Sequence, residues 1–433
     1  MATTRREFLQ RSAAAAAALV APHPIMQAMM GGVANAMGPA DAIFVLVQLE
    51  GGNDGLNTVA PIDGPQRSIY ETKRPNLKIP AVNLLNIGAD PVTGDDLGLH
   101  PSMSALKALY DLGHVAVVNG VGYPGQSGSH FRSEDIWLGG ISSSQNFSSG
   151  WFGRYLDVDQ PGALVSFDCD NTLSPLFFGD DSNVLAFKRL SDFALPDDPL
   201  YPDLPAKKAT LQDAYDAEAT DTSGLQMTVG VSGQALLSKL DDYQAVSTSW
   251  SSNLNGIAGN LAARLKQVAS IIRHDYTLAS PNPTGARFFH VRLGGFDTHT
   301  KQGALAGRQA DLLFQVSQAL SAFYGDMVAL GVGSKVLTMT FSEFGRRVSE
   351  NGGPATAGTD HGAASPLFVV GDPVVGGVFG RLPALDTAQL ENGRNLQWHT
   401  DFRSVYATVI QRWLNADPVP ILGGAFPMQG FLT

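Results

Sequence analysis

Two acid–histidine pairs, Asp297-Thr298-His299 and Asp360-His361, carry the most chemistry in this chain of 433 residues. The first follows the apolar run Ala286–Leu293, and the second precedes the apolar run Pro366–Val370. Runs of this kind read as buried strands. Charged and imidazole groups at strand ends gather on one rim of a parallel sheet, where open α/β sheets bind ligands. Carboxylate oxygen beside neutral imidazole nitrogen is a ligand set for Zn²⁺ or a similar divalent ion. The plain alternative is that each histidine only hydrogen-bonds its neighbouring acid. Two such pairs, both at strand–loop junctions, favour a metal or catalytic site.

Two more acids fall in the same kind of place. Asp54 follows the run Ala42–Leu49 through the turn Glu50-Gly51-Gly52-Asn53, and Glu343 follows Lys335–Phe341. Acids gathered on one rim repel each other unless a cation sits among them. Asp54, Asp297, His299, Glu343, Asp360 and His361 therefore form a candidate site for one or two metal ions. Zn²⁺ leads, and Ca²⁺, Mg²⁺ and Mn²⁺ stay open. Two ions roughly 3.5–4 Å apart would clamp an oxyanion during an in-line displacement. Ser129 fits the N-cap of a helix running to Trp137, and the amides there suit an anion. That makes Ser129 a candidate nucleophile as well as a plain cap, with His130 beside it as acid, base or ligand. Arg132 and Arg346 are candidate bidentate partners for a phosphate or sulfate, with helix-surface pairing as the alternative.

The elements that must position these groups alternate. Strands are expected at Ala42–Leu49, Val115–Val118, Ala286–Leu293, Lys335–Phe341 and Pro366–Val370, and helices at Pro101–Gly113, Ser129–Trp137, Asn253–His274 and Ala310–Leu330. The alternation predicts an α/β fold, a mostly parallel sheet with helices on both faces. From about 160 to 250 the pattern weakens and Asp/Pro clusters appear, so a loop-rich insertion is expected there. His100, His114, His274 and His290 have no acid or histidine cluster around them and read as structural. Cys169, the single cysteine, reads as a buried thiol, and no internal disulfide can form.

The N-terminus reads as a targeting segment. Thr4-Arg5-Arg6-Glu7-Phe8-Leu9 is a twin-arginine pattern, followed by the Ala-rich run Ser12–Ala21 and a small-x-small site at Ala34-Asn35-Ala36. A signal over 1–36, recognised by the Tat export machinery, and a domain over 37–433 follow. The mature chain is then periplasmic or secreted. The apolar run is too short to anchor permanently in a bilayer. A formal charge of −11 argues against nucleic acid and anionic membranes as partners.

The twin-arginine start, Leu49-Glu50-Gly51-Gly52-Asn53-Asp54-Gly55-Leu56-Asn57, Ser129-His130-Phe131-Arg132, Gly294-Gly295-Phe296-Asp297-Thr298-His299, Phe341-Ser342-Glu343-Phe344-Gly345-Arg346-Arg347 and Gly358-Thr359-Asp360-His361-Gly362 resemble an exported bacterial family, domain of unknown function 1501. That family is grouped with the alkaline phosphatase and sulfatase superfamily and has no settled activity. The resemblance implies an alkaline phosphatase-like fold. It places Asp54 at the superfamily's first metal-binding Asp and Ser129 at its nucleophile. Asp297 and His299 fall on a following Asp and His, and His361 on a final His. A rival alignment puts Asp360-His361-Gly362 on the sulfatase Asp-His-Gly and uses His399 last. The chain departs in three ways: Ser342-Glu343 replaces an Asp-His, the Asp297–His299 spacing is short, and no cysteine stands at the nucleophile.

The expectation is an exported metal-dependent hydrolase of phosphate or sulfate esters, acting on a small anionic ester. The alternative is a non-catalytic exported surface or assembly protein that retains the scaffold.

Overall fold

Alternating apolar residues on the first strand dictate three layers. In the strand β1 (Ile43–Glu50), Ile43, Val45, Val47 and Leu49 enter one hydrophobic cluster while Phe44 and Leu46 enter another. A strand buried on both faces must be covered by helices on both. The computed structural model describes residues 41–432, apart from 161–163, 171, 181, 193–202, 221–223, 247 and 279–284. The signal expected at 1–36 lies outside the described residues. From Gly38 onward the chain forms one unit. No helix among the described residues is long and apolar enough to cross a membrane.

The strands after β1 are β2 (Val59–Pro61), β3 (Leu85–Ala89), β4 (Asp96–Leu99), β5 (Val115–Gly122), β6 (Leu164–Asp168), β7 (Asn183–Ala186), β8 (Phe288–Gly294), β9 (Val336–Phe341), β10 (Ser365–Val370), β11 (Gly377–Gly380) and β12 (Thr400–Asp401). The main sheet runs β11-β5-β10-β9-β1-β8-β6-β7, with β12 added to β5, while β2, β4 and β3 form a small sheet. Within the main sheet every pairing is parallel except those of β10, which runs antiparallel to β5 and β9. This is the expected mostly parallel α/β sheet. The C-terminal ends of β1, β5, β8 and β9 share one rim. Because β10 is reversed, the loop before it reaches that same rim. That single reversal brings Asp360-His361 to the loops that leave β1 and β8.

Helices α1 (Ser104–Asp111), α2 (His130–Gly139), α3 (Trp151–Asp159), α4 (Leu204–Ala219), α5 (Gly224–Gln244), α6 (Asn260–Arg273), α7 (Arg308–Ala329) and α8 (Phe402–Thr408) cover the sheet or extend it. Leu261, Leu265 and Val268 of α6 and Leu313, Val316 and Leu320 of α7 pack on one face. Ile136 and Trp137 of α2, Trp151 and Phe152 of α3, and Phe402 and Tyr406 of α8 pack on the other. Fully burying one such large apolar side chain contributes about 1.5–3 kcal/mol.

Two expectations need correction. The segment near 160–250 is not simply loops, since it supplies β6, β7, α4 and α5. No described residue of α4 is buried, so its sequence carries no apolar stripe to read. The helix expected from Asn253 starts only at Asn260. Gly256 and Gly259 before it take φ of 80° and 111°, left-handed values that a right-handed helix cannot include.

Candidate metal centre

Four loops are sewn together at the rim before any ligand is considered. Gly51 has φ of 114°, and a Cβ there would lie 2.3 Å from the Asp297 nitrogen, so only glycine lets the β1 and β8 loops touch. Arg346 and His361 form an antiparallel bridge. The Thr359 N–H donates to the Thr298 carbonyl at 3.1 Å, and the Gly362 N–H to the Gly345 carbonyl at 2.8 Å. Gln302, fully buried, accepts from the hydroxyls of Thr298 (3.0 Å) and Thr359 (2.7 Å) and donates to Asp54.

Arg346 is the central clip. Its guanidinium is buried and donates to the carbonyls of Gly52, Thr359, Phe296 and Gly51 and to the Asp297 carboxylate. It has no face left for an anion, which corrects the expectation from sequence. Arg132 is also committed, to the carbonyls of Ser143 and Gln145 after α2. Arg346→Ala strands a set of buried carbonyls and removes the cation beside Asp297. It is expected to cost about 3–5 kcal/mol of stability, read by urea denaturation. A loss under about 1 kcal/mol would contradict this role.

Three imidazoles converge on Asp297. Its Oδ1 lies 3.1 Å from His299 Nε2, 3.1 Å from His361 Nε2 and 3.7 Å from His130 Nε2. The Nε2 atoms of His299 and His361 are 2.8 Å apart. Ligand atoms of His130, Asp297 and His361 all lie within 4.8 Å of one another. The other nitrogen of each ring fixes its tautomer. His130 Nδ1 meets Glu343 Oε1 at 2.7 Å, His361 Nδ1 meets the Gly128 carbonyl at 2.7 Å, and His299 Nδ1 meets Asp360 Oδ1 at 3.3 Å. All three partners only accept, so each Nδ1 carries the proton. Each Nε2 then presents a lone pair to the others and to a carboxylate. Such an arrangement repels itself unless a cation occupies it. Metal-bound histidines hold an acceptor behind the ring in this way. A tetrahedral Zn²⁺ with bonds of about 2.0–2.2 Å spaces its ligand atoms about 3.3 Å apart, close to the contacts around Asp297. The mutually close donors of His130, Asp297 and His361 fit a single Zn²⁺-like ion, and His299 Nε2 stands beside them, 3.1 Å from Asp297 and 2.8 Å from His361.

The Glu343 hydrogen bond holds the His130 pKa above its ordinary value. Burial acts to raise the Asp297 carboxyl, but the Arg346 guanidinium and the neighbouring His361 and His299 imidazoles outweigh it and leave the pKa low. Asp360 behaves alike: burial is outweighed by Asn351, Arg347 and His299. Phe344, buried, walls the site with its ring 4.8 Å from that of His130 and 4.7 Å from that of His361.

The remaining expected residues lie around this core. Glu343 is fully buried and accepts from the Gly51 N–H at 2.8 Å and from His130, so it stands behind that imidazole. Asp360 accepts from Arg347 at 2.8 Å and Asn351 at 2.8 Å and stands behind His299. Asp54 is buried in an ion pair with Arg74 and makes no hydrogen bond to the imidazoles, contrary to its expected place among them. Ser129 precedes α2 as its cap residue but makes no side-chain cap bond and is exposed. It sits between Gly128 and His130, both bonded into the cluster. His399 bonds Arg381 at 3.2 Å and takes no part. His290 corrects the view that it lacks an acid. Register sets it opposite Asp168, whose carboxylate lies 3.1 Å from its Nδ1. Cys169 is free and buried, as expected, and burial pushes its pKa up.

Sequence reasoning missed Arg74, Gln302 and Glu134. The first two are buried polar residues whose partners lie 20 and 248 positions away, with no local signal. Glu134 on α2 accepts from Gln48 at 3.1 Å. Burial first, then Glu343 and Glu50, push its pKa from 4.5 to about 7. Its folded-state proton is therefore held where the unfolded chain has lost it. Stability should fall as pH rises between about 5 and about 7. In chelator-treated protein, Glu134→Gln is expected to raise the melting temperature at pH 8 more than at pH 5. An equal change at both would reject this.

A three-layer α/β fold with a histidine–carboxylate cluster at its sheet rim is thus in place. Residues 282–417 match the family model described as protein of unknown function (DUF1501), a stretch that holds the Asp297, Glu343 and Asp360 motifs. Solved structures that the chain is similar to include a protein in the alkaline phosphatase superfamily from Vibrio parahaemolyticus (10% identity, 81% of this chain and 66% of that chain, TM-score 0.36). They also include the lipoteichoic acid synthase LtaP from Listeria monocytogenes (9% identity, 84% of this chain and 76% of that chain, TM-score 0.32). A third is alkaline phosphatase from the Antarctic bacterium TAB5 (10% identity, 78% of this chain and 92% of that chain, TM-score 0.29). No curated protein matches the sequence.

Proposed function

We propose that this chain is an exported, metal-dependent hydrolase of phosphate or sulfate esters. The observation that carries the reading is the set of three imidazole lone pairs converging on Asp297 Oδ1 at 3.1–3.7 Å. His130, His299, His361 and Asp297 would hold the ion, with Zn²⁺ the best fit to nitrogen-rich donors. When bound, a divalent cation polarises an ester oxygen and lowers the pKa of a hydroxyl or water held against it. Ser129, exposed and free of a cap bond, is the nucleophile. First-turn amides of α2 face the anionic oxygens, since a helix start leaves its N–H groups without internal partners. This replaces the binding role expected of Arg132 and Arg346. Glu343 and Asp360 keep His130 and His299 in the tautomer that leaves Nε2 open.

One observation favours a second reading. Four protein donors suffice to close a tetrahedral shell, as in structural metal sites. The chain would then be a non-catalytic exported surface or assembly protein. A panel of phosphate and sulfate esters, assayed with and without chelator, separates the two. Chelator-sensitive turnover supports the hydrolase. No turnover with any ester by metal-loaded protein supports the scaffold.

Export rests on Arg5-Arg6 before a mildly apolar run. Replacing both by lysine is expected to leave precursor in the cytoplasm, checked by fractionation. Undiminished mature protein outside the cytoplasm would reject the Tat route.

A further inference from the structure

We propose that this centre takes one divalent ion, and that the guanidinium of Arg74 meets the charge of the remaining buried acid, Asp54, in place of a second ion. The inference rests on the metal reading above and goes beyond it in the number of ions and the role of Arg74.

A second ion needs its own carboxylates, and those at the rim are already engaged. Glu343 Oε1 accepts from the Gly51 N–H and from His130 Nδ1, and its Oε2 lies 3.3 Å from the Ser342 hydroxyl. Asp360 accepts from His299, Arg347 and Asn351. Both serve as outer partners of ligands to the first ion. Asp54 remains. Its Oδ2 accepts from Arg74 and from Gln302. Both side chains of the Asp54–Arg74 pair are 0% exposed. A buried carboxylate must have its charge met, and here an organic cation meets it.

Arg74 is fixed in that place by the fold. Its Nε donates to the Val348 carbonyl at 2.9 Å, its Nη2 to the Arg347 carbonyl at 2.8 Å and its Nη1 to Asn57 Oδ1 at 2.9 Å. The guanidinium is thus locked beneath the loop that leaves β9. Asp54 Oδ1 is buried and has no protein partner. Among the oxygens of Asp54, Glu343 and Asp360 it is the one without a hydrogen bond. A second ion there would lie across a single carboxylate from the guanidinium, a like-charge approach in a low-dielectric interior. Among the described residues, no histidine bonds Asp54 to complete a second set. The centre therefore cannot clamp an oxyanion between two ions. Charge not met by the single ion falls to the α2 amides.

The test is native mass spectrometry, with chelator-competition titration of Zn²⁺ into stripped full-length protein. The expected count is one ion per chain for the wild type. Glu343→Gln should also bind one, with affinity reduced about 10–100-fold, the usual cost of losing an outer partner. Arg74→Gln leaves Asp54 without its cation and should take up a second, weaker ion. Two ions on the wild type would overturn the inference, and more firmly if Glu343→Gln then binds one, while leaving the hydrolase reading intact. No ion on the wild type would overturn both. One ion without ester hydrolysis would support the inference and remove the hydrolase. A folded Arg74→Gln that still binds only one ion would overturn the role given to Arg74. Should that variant fail to fold, the wild-type and Glu343→Gln counts still decide the number of ions.

Discussion

Asp297→Asn is expected to lower divalent-ion affinity by on the order of a hundredfold, about 2.7 kcal/mol. The amide keeps the shape of the side chain and removes its charge. Three neutral imidazoles would then face the ion with no anionic ligand among them. Among the described residues, Asp297 is also the only carboxylate that all three Nε2 atoms approach. The same substitution should uncouple melting from chelation. An ion present at a hundred times its Kd stabilises the native state by about 2.7 kcal/mol. EDTA should therefore lower the wild-type melting temperature by a few degrees and leave Asp297→Asn almost unmoved. Scanning calorimetry with and without chelator checks this. Equal EDTA sensitivity of the two proteins would show that the ion, if any, binds elsewhere.

Ser129→Ala is expected to reduce ester hydrolysis by about 10³-fold or more, the scale seen when a nucleophile is removed. Metal content should not change, because the hydroxyl is not part of the donor set. Melting should shift by less than about 0.5 kcal/mol, because the side chain is exposed and makes no cap bond. That combination separates a nucleophile from a structural cap, since deleting a cap that bonds the helix costs about 1 kcal/mol. Full activity of the variant on every active ester would make the assignment wrong. Water held at the centre would then be the attacking group.

Much of this architecture was legible because it is local. β1 is a run of apolar residues buried on both faces, and such runs announce a parallel sheet. The loops that follow β1, β8 and β9 carry Asp54, Asp297 and Glu343 directly after the strands, so their approach to one rim could be read from order alone. The reversal of β10 could not. It comes from pairing with β5 and β9, far away in sequence, and it decides that Asp360 and His361 enter from before a strand. The roles within the rim were also hidden. Asp54 and Glu343 look like ligands because they are acids at strand ends. What sets them apart is Arg74 beside one and His130 beside the other. Arg346 reads as an anion binder because a guanidinium can pair bidentately with a phosphate or sulfate. Its buried position among four carbonyls follows from loop crossings that no periodicity encodes. The stretch near 160–250 was misread for the opposite reason, since α4 buries nothing and so carries no helical stripe.

The central claim is that His130, His299, His361 and Asp297 hold a divalent ion. Anomalous diffraction from crystals of the protein, purified without added chelator, tests it most directly. One peak is expected among the three Nε2 atoms and Asp297 Oδ1, with bonds of about 2.0–2.2 Å for Zn²⁺. Crystals soaked in Zn²⁺ that show no peak there, from protein carrying no metal by mass spectrometry, would contradict it.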